Sequence, residues 1–217
     1  MGKHNKHGKI VTITGNMFGG KTTELINRVN AIKENDINNE IRICCFKPTI
    51  DNRYDSTKII THDGDSLDAI PAHSAEELYL LVNSLNPNVV VIDEIQFFDQ
   101  KVGNECVIIN MLLEFVKSRD VILSGLSTDF RGMPFGNIGD ILAISDEVIK
   151  KFSTCVICGD TATQSQRIVD EKPASWYQNT VLVGDSRNTL NKERYEPRCR
   201  NCHEVLDMPD VRISTQI

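Results

Sequence analysis

The sequence predicts an α/β fold with a mainly parallel sheet, followed by a small zinc-binding module. Apolar runs typical of strands alternate with helical patterns up to about residue 150. A glycine-rich loop joins the first predicted strand to the first predicted helix, and two Cys-x-x-Cys pairs follow the alternating region. We therefore expect an α/β domain at 1–150 and a zinc-binding domain with the C-terminal tail at 151–217.

The predicted elements follow one another in a regular order. The run KIVTITG at 9–15 is apolar and ends at the glycine-rich loop, as expected of a buried strand. After Lys21, a helix is predicted because Leu25, Val29 and Ile32 recur at the spacing of one helix face. Further strands are predicted at 41–46, 88–94 and 121–126, and further amphipathic helices at 74–85 and 105–118.

The composition argues against several classes of protein. The chain has 217 residues and a net charge of −6, so its surface as a whole does not suit a nucleic-acid backbone or an anionic membrane. No apolar run approaches the ~20 residues that span a bilayer, and the polar, basic start of the chain lacks the apolar segment of a secretory signal. We expect a cytoplasmic protein whose seven cysteines are thiols or metal ligands.

The stretch GNMFGGKTTEL contains the pattern G-x-x-x-x-G-K-T, whose fixed positions are Gly15, Gly20, Lys21 and Thr22. In such a loop, successive backbone N–H groups point at one phosphate, and the dipole of the following helix adds to the attraction. Lys21 is expected to reach the β- and γ-phosphates of a nucleotide, and the Thr22 hydroxyl to bind Mg²⁺. The first domain is thus predicted to bind a nucleotide.

Two acids end the predicted strand VVVIDE. Asp93 is expected to hold the metal ion of the nucleotide, because such a loop needs a carboxylate at the end of a neighbouring strand. Glu94 is expected to take a proton from the hydroxyl that attacks the γ-phosphate, a general-base contribution of ~10²–10⁴ in rate. That hydroxyl can belong to water, which gives an ATPase, or to a substrate alcohol, which gives a kinase. The loop and the two acids do not decide between them.

Two Cys-x-x-Cys hooks, CVIC and CRNC, each provide half of a tetrahedral zinc site with four sulfur ligands. Because all four positions are thiolates, we expect a closed, structural zinc ion with no place for a catalytic water. His203 is a competing ligand next to the second hook, but four sulfurs are favoured. The predicted ligands are Cys155, Cys158, Cys199 and Cys202.

About forty residues separate the two hooks, which is long for a loop in a compact module. This segment carries Trp176, Tyr177 and Tyr195, so it is expected either to fold over a planar ligand or to be a disordered surface insertion. A local excess of Arg and Lys at 186–203 leaves open a nucleic-acid-binding zinc module, which the overall acidity opposes.

The set of motifs resembles the thymidine kinase family that has a phosphate-loop core and a zinc-bound lasso. The matching pieces occur in the family's order, from about residue 9 to residue 203. They are GNMFGGKTTEL, DNRY, THDG, VVVIDEIQFFD, GLSTDFRGMPFG, CVICG, SQRI, VLVGD and RYEPRCRNCH. The resemblance implies a RecA-like core, a structural zinc ion, a homotetramer and feedback inhibition by thymidine triphosphate. It also implies transfer of the γ-phosphate of ATP to the 5′-hydroxyl of thymidine, with Mg²⁺.

The resemblance further implies which residues form the sites, with Glu94 as the catalytic base. The implied ATP and magnesium site comprises Gly15, Asn16, Met17, Phe18, Gly19, Gly20, Lys21, Thr22, Asp51, Arg53, Asp93, Glu94, Ile95 and Gln96. The implied nucleoside pocket comprises Met17, Phe97, Leu126, Phe130, Ser165, Leu182 and Tyr195. The chain departs from the family at Ser127, where Asp is frequent, and at 186–194, where the link is longer than usual.

Two classes of function remain open on the sequence. The leading prediction is a thymidine kinase that salvages thymidine for DNA precursor synthesis. The alternative is a phosphate-loop ATPase whose Glu94 activates water, combined with a zinc ribbon that binds nucleic acid.

Overall fold

The computed structural model of the chain describes residues 7–50, 57–61, 64–180 and 193–210. Within these residues, the α/β region contains β1 (Ile10–Gly15), α1 (Lys21–Asn35), β2 (Ile43–Pro48), β3 (Lys58–Ile60), β4 (Ser66–Asp68), β5 (Ile70–Ala72), α2 (Ala75–Leu85), β6 (Val89–Ile92), a 3₁₀ helix (Ile95–Phe97), β7 (Lys101–Val102), β8 (Glu105–Cys106), α3 (Val107–Phe115), β9 (Asp120–Leu126), α4 (Ile138–Ile144) and β10 (Glu147–Lys151). The region after β10, named the zinc module after its predicted metal, contains β11 (Ser153–Thr154), β12 (Thr161–Ala162), β13 (Gln164–Val169), β14 (Lys172–Pro173) and β15 (Glu193–Arg198).

The central sheet confirms the predicted fold class. Among the described residues, six strands pair in the order β10-β1-β9-β6-β2-β5, and every neighbouring pair is parallel. β1, β9 and β6 are neighbours inside the sheet, and their carboxyl ends therefore lie side by side along the same edge of the sheet. Open α/β sheets bind ligands at this edge, so the loops after these three strands are the first place to look for a site.

Alternate residues of the central strands supply two separate apolar cores, one on each face of the sheet. In β6, Val90 and Ile92 pack under α2 and α3, whereas Val89 and Val91 pack toward α1. All four side chains are buried, each stabilising the fold by about 1.5–3 kcal/mol, which explains the unbroken apolar run. Among the described helices, none is long and apolar enough to cross a membrane.

The elements that the sequence did not predict lie mostly at the margins of the sheet. β5 is an edge strand of three residues with a proline in the middle, a residue tolerated at edges because it lacks an N–H donor. β10 forms the other edge and leaves most of its side chains exposed, so its apolar pattern is weak. Neither strand has the buried run on which strand prediction depends.

The zinc module is a small antiparallel unit that follows directly on β10. β11 and β12 form one hairpin, and β13 pairs on one side with β14 and on the other with β15. In the second pairing, Ser165 lies opposite Pro197 and Arg167 lies opposite Tyr195. The β13–β15 pair thus brings the strand that follows the first cysteine hook next to the residues just before the second hook.

Candidate functional site

The phosphate loop lies at the carboxyl edge of the sheet, between the end of β1 and the start of α1. Gly15 must be a glycine, because a Cβ there would stand 2.2 Å from the carbonyl oxygen of Lys151 on the neighbouring strand. Phe18 and Gly20 have φ angles of 63° and 78°, in the left-handed region. Left-handed residues turn successive N–H groups of a loop toward one side, which makes a concavity suited to a phosphate.

Hydrogen bonds across and around the loop fix this shape. Lys21 is 9% exposed, and its ammonium donates to the carbonyl oxygen of Asn16 at 2.9 Å. The buried Asn16 amide donates to the Ser153 hydroxyl at 2.6 Å and to the carbonyl oxygen of Gln164 at 3.4 Å. The cation is therefore held inside the loop, and the loop is anchored to the zinc module.

The two acids after β6 differ in burial and backbone conformation. Asp93 is 7% exposed and continues from the strand, with its N–H donating to the carbonyl oxygen of Phe46 at 2.9 Å. Glu94 is half-buried and has a φ angle of 50°, so the strand ends at Ile92 rather than at the predicted residue 94. A left-handed conformation at a residue other than glycine costs about 1–3 kcal/mol and is concentrated at functional sites.

Gln96 connects the Glu94 carboxylate to the end of the neighbouring strand β9. Its Nε2 donates to Glu94 Oε2 at 2.5 Å, and its Oε1 accepts from the Leu126 N–H at 3.1 Å. The side chain is 1% exposed, and a Cβ at Gly125 would stand 2.6 Å from its Oε1. Gln96 thus orients the Glu94 carboxylate. The sequence predicted Gln96 only as part of the ATP site, not in this positioning role.

Three of the predicted nucleoside residues are buried or packed against another side chain, and one of them contacts the loop. The hydroxyl of Ser165, which is 2% exposed, accepts from the Met17 N–H at 3.0 Å. Phe97 packs edge-on against Phe135, with 5.5 Å between the ring centroids. Phe130 is 3% exposed. Phe135 was not predicted, because nothing in its local pattern distinguishes it from an ordinary core aromatic.

The cysteine cluster fits a tetrahedral metal ion. The four Sγ atoms all lie within 4.8 Å of one another, and those of Cys158 and Cys199 are 3.6 Å apart. A tetrahedron with Zn–S bonds of about 2.3 Å requires sulfur separations of about 3.8 Å, close to this value. Among the described residues, the atoms that meet in this way belong to Cys155, Cys158, Cys199 and Cys202.

Within the cluster, the electrostatics favour the thiolate at Cys155 but not at Cys202, where hydrogen bonds with Cys199 and Cys158 raise the pKa to about 12. Burial acts to raise the pKa of Cys155, but backbone N–H groups of Cys199, Cys158 and Ile157 outweigh it and lower the pKa to about 6. His203 is outside the cluster, because its Nε2 donates to the carbonyl oxygen of Phe130 at 2.8 Å. Burial lowers the pKa of His203 and favours the neutral ring, although the bond to Phe130 acts in the opposite direction.

A comparison with models of known protein families finds a match that covers both parts of this architecture. The model of the thymidine kinase family matches residues 8–203, which include the whole central sheet and the cysteine cluster. The chain belongs to the thymidine kinase family. The resemblance carried by the motifs is therefore confirmed, and the family supports a kinase.

The thymidine kinase fold of this chain gathers most of the predicted residues at one edge of the sheet. The phosphate loop follows β1, the two acids follow β6, and Leu126 is the last residue of β9, the strand between them. Ser165 of the zinc module contacts the loop. Tyr195 is half-buried in β15, opposite Arg167. Three predicted site residues lie outside the described part of the chain, namely Asp51, Arg53 and Leu182.

The position of Asp93 leads to a prediction for this thymidine kinase family member. Asp93→Asn keeps the shape of the side chain but removes the charge that a hard cation prefers, so half-maximal activity is expected to need more Mg²⁺. A magnesium titration of phosphoryl transfer measures the shift. The exposed Asp99→Asn variant is the control. An unchanged magnesium requirement in Asp93→Asn would remove Asp93 from metal binding.

Proposed function

We propose that this chain is an ATP-dependent thymidine kinase that transfers the γ-phosphate of ATP to the 5′-hydroxyl of thymidine and forms thymidine monophosphate. The observation that carries the proposal is the 3.0 Å hydrogen bond from the Met17 N–H to the Ser165 hydroxyl. It joins the phosphate loop of the α/β region to the zinc module. The contact supports a kinase, because a donor phosphate and an acceptor hydroxyl must be held in line with water kept out, which requires a second part of the chain beside the loop.

On the phosphate side, the loop amides of Gly15–Thr22 bind the β- and γ-phosphates, and Lys21 pairs with their charge. Lys21 then exchanges the carbonyl oxygen of Asn16, its partner in this structure, for a phosphate oxygen. Thr22 and Asp93 would hold the Mg²⁺, and this ion would neutralise part of the charge of the phosphates. These residues form a fixed platform around the γ-phosphate.

On the acceptor side, Glu94 acts as the general base. As the 5′-oxygen of thymidine bonds to the γ-phosphorus, the bond to the β-phosphate oxygen breaks and ADP leaves. The hydroxyl proton passes to the Glu94 carboxylate, which Gln96 holds in place through Oε2. Because the partner of Gln96 on the other side is backbone, this orientation is rigid.

The proposal extends to the features that the family resemblance implies. The nucleoside is held by Met17, Phe97, Leu126, Phe130, Ser165, Leu182 and Tyr195. The zinc ion is structural, and the chain is divided into domains near residue 150. The active form is a cytoplasmic homotetramer that thymidine triphosphate inhibits.

The assay that tests the function measures ADP and thymidine monophosphate together. We expect ADP release to require thymidine and to equal monophosphate formation. The matched control is 5′-deoxythymidine, which lacks the acceptor hydroxyl and should give no ADP above background. ADP release without an acceptor, or release stimulated by DNA rather than by thymidine, would identify the ATPase instead.

A further inference from the structure

Arg167 is a buried cation at the centre of the zinc module. It lies on β13 two residues after Ser165, and its side chain is 5% exposed. Burying a guanidinium is unfavourable unless nearby groups satisfy its charge and its donors. The contacts of Arg167 therefore show which groups compensate for the burial of its charge.

Two of these contacts join distant positions of the chain. Arg167 Nη1 donates to the carbonyl oxygen of Asn179 at 2.7 Å, and Nε lies 2.8 Å from Glu193 Oε1. The Nε–H does not point at that oxygen, so the second contact is an ion pair rather than a hydrogen bond. Asn179 and Glu193 stand on either side of residues 181–192. Arg167 thus holds both flanks of that segment to one strand.

The third contact reaches the proposed nucleoside pocket. The guanidinium carbon of Arg167 lies 5.2 Å from the centroid of the Phe130 ring, within the range of a cation–π interaction. The carbonyl oxygen of Phe130 accepts from His203, the residue after the last cysteine of the cluster. Ring and backbone of Phe130 are therefore both held by the zinc module.

We propose that Arg167 is a positioning residue for the nucleoside site, which fixes the Phe130 ring and ties it to Asn179 and Glu193. This inference rests on the proposed function, because it takes Phe130 to face the nucleoside. Arginine suits the role because its planar fork can stack on a ring while its edges donate to other groups. Lysine keeps the charge but cannot make these contacts together.

The test compares Arg167→Lys with Arg194→Lys as the matched control. Arg194 lies on the paired strand β15, is 45% exposed, and forms ion pairs with Glu171 and Glu196 rather than with the pocket. In Arg167→Lys we expect the KM for thymidine to rise about tenfold, the scale of one desolvated cation–π contact, with little change in kcat. The Kd for ATP and the zinc content should stay at wild-type values.

Trp176 provides a readout that does not depend on turnover. It is the only tryptophan of the chain, and the guanidinium of Arg131, the residue after Phe130, lies 5.1 Å from its ring. Thymidine should change its fluorescence in the wild-type protein, and in Arg167→Lys the midpoint should move to about tenfold higher thymidine. Arg194→Lys should keep the wild-type midpoint.

The outcomes separate positioning from general stabilisation. A thymidine midpoint and KM equal to those of Arg194→Lys would overturn the proposal, as would a parallel loss of ATP affinity and zinc. A fall in kcat at constant KM would also overturn it. If the wild-type chain formed no thymidine monophosphate although Trp176 fluorescence showed that thymidine binds, the proposed function would be contradicted instead.

Discussion

Glu94→Gln is expected to lower the rate of phosphoryl transfer by about 10²–10⁴ while ATP and thymidine still bind. The substitution removes the proton acceptor but nearly preserves the shape of the side chain. Its amide oxygen can still accept from Gln96 Nε2, so the orientation that this bond maintains should be kept. The loss should therefore appear in kcat, because the missing interaction is made only as the hydroxyl loses its proton.

Single-turnover kinetics with saturating ATP and thymidine measure this effect, and equilibrium binding of each ligand shows that the site is intact. The control is Glu76→Gln. Glu76 is exposed on α2, and α2 packs on the face of the sheet opposite to α1. Transfer at near the wild-type rate in Glu94→Gln would exclude Glu94 as the base. Equal losses in kcat and in both affinities would indicate a collapsed site.

The central elements and the phosphate loop were predictable because their signals are local. β6 is buried on both faces and gives an unbroken apolar run, and α3 repeats Ile108, Met111 and Leu112 at helical spacing. The loop places Gly15 and Gly20 within a few positions of each other, so its backbone requirement can be read directly from the sequence. Such patterns depend on neighbours along the chain and survive without knowledge of the fold.

The contacts that orient the site were not predictable, because they join residues far apart in the chain. Gln96 and Leu126 are 30 positions apart, and their hydrogen bond depends on the pairing of β6 with β9. The stacking of Arg167 on Phe130 depends on the docking of the zinc module against the loop after β9. The residues next to Arg167 in the sequence do not indicate that its side chain contacts the Phe130 ring.

The conformation of Glu94 illustrates the same limit at a single residue. The sequence VVVIDE predicts an extended strand through residue 94, whereas the strand ends at Ile92 and Glu94 is left-handed. Local propensity disfavours this conformation for glutamate, by about 1–3 kcal/mol. The 3₁₀ helix Ile95–Phe97 and the bond from Gln96 hold it there, so tertiary structure overrides the local preference.

Loss of the zinc ion is expected to have the largest effect on stability. The purified chain should contain about one zinc ion, and Cys199→Ser should lose it, because Cys199 is a buried member of the four-sulfur cluster. Structural zinc sites in small modules contribute apparent binding free energies of about 10–16 kcal/mol at pH 7. The matched control is Cys106→Ser, a half-buried thiol outside the cluster, which should keep its zinc and unfold near the wild-type temperature.

The consequence for activity should be selective, because the zinc module and the phosphate loop meet at few points. β13 carries Ser165, and β15 runs directly into Cys199, so the release of zinc frees both strands that border the proposed nucleoside pocket. Lys21 and Asn16 both belong to the phosphate loop, and the hydrogen bond between them does not involve the zinc module. Thymidine binding should therefore be lost before ATP binding, as titrations of each ligand against zinc-depleted protein would measure.

A zinc-free protein with unchanged thermal unfolding and an unchanged KM for thymidine would contradict the structural role. Joint loss of both ligands would show instead that Asn16 needs Ser153 to hold the loop.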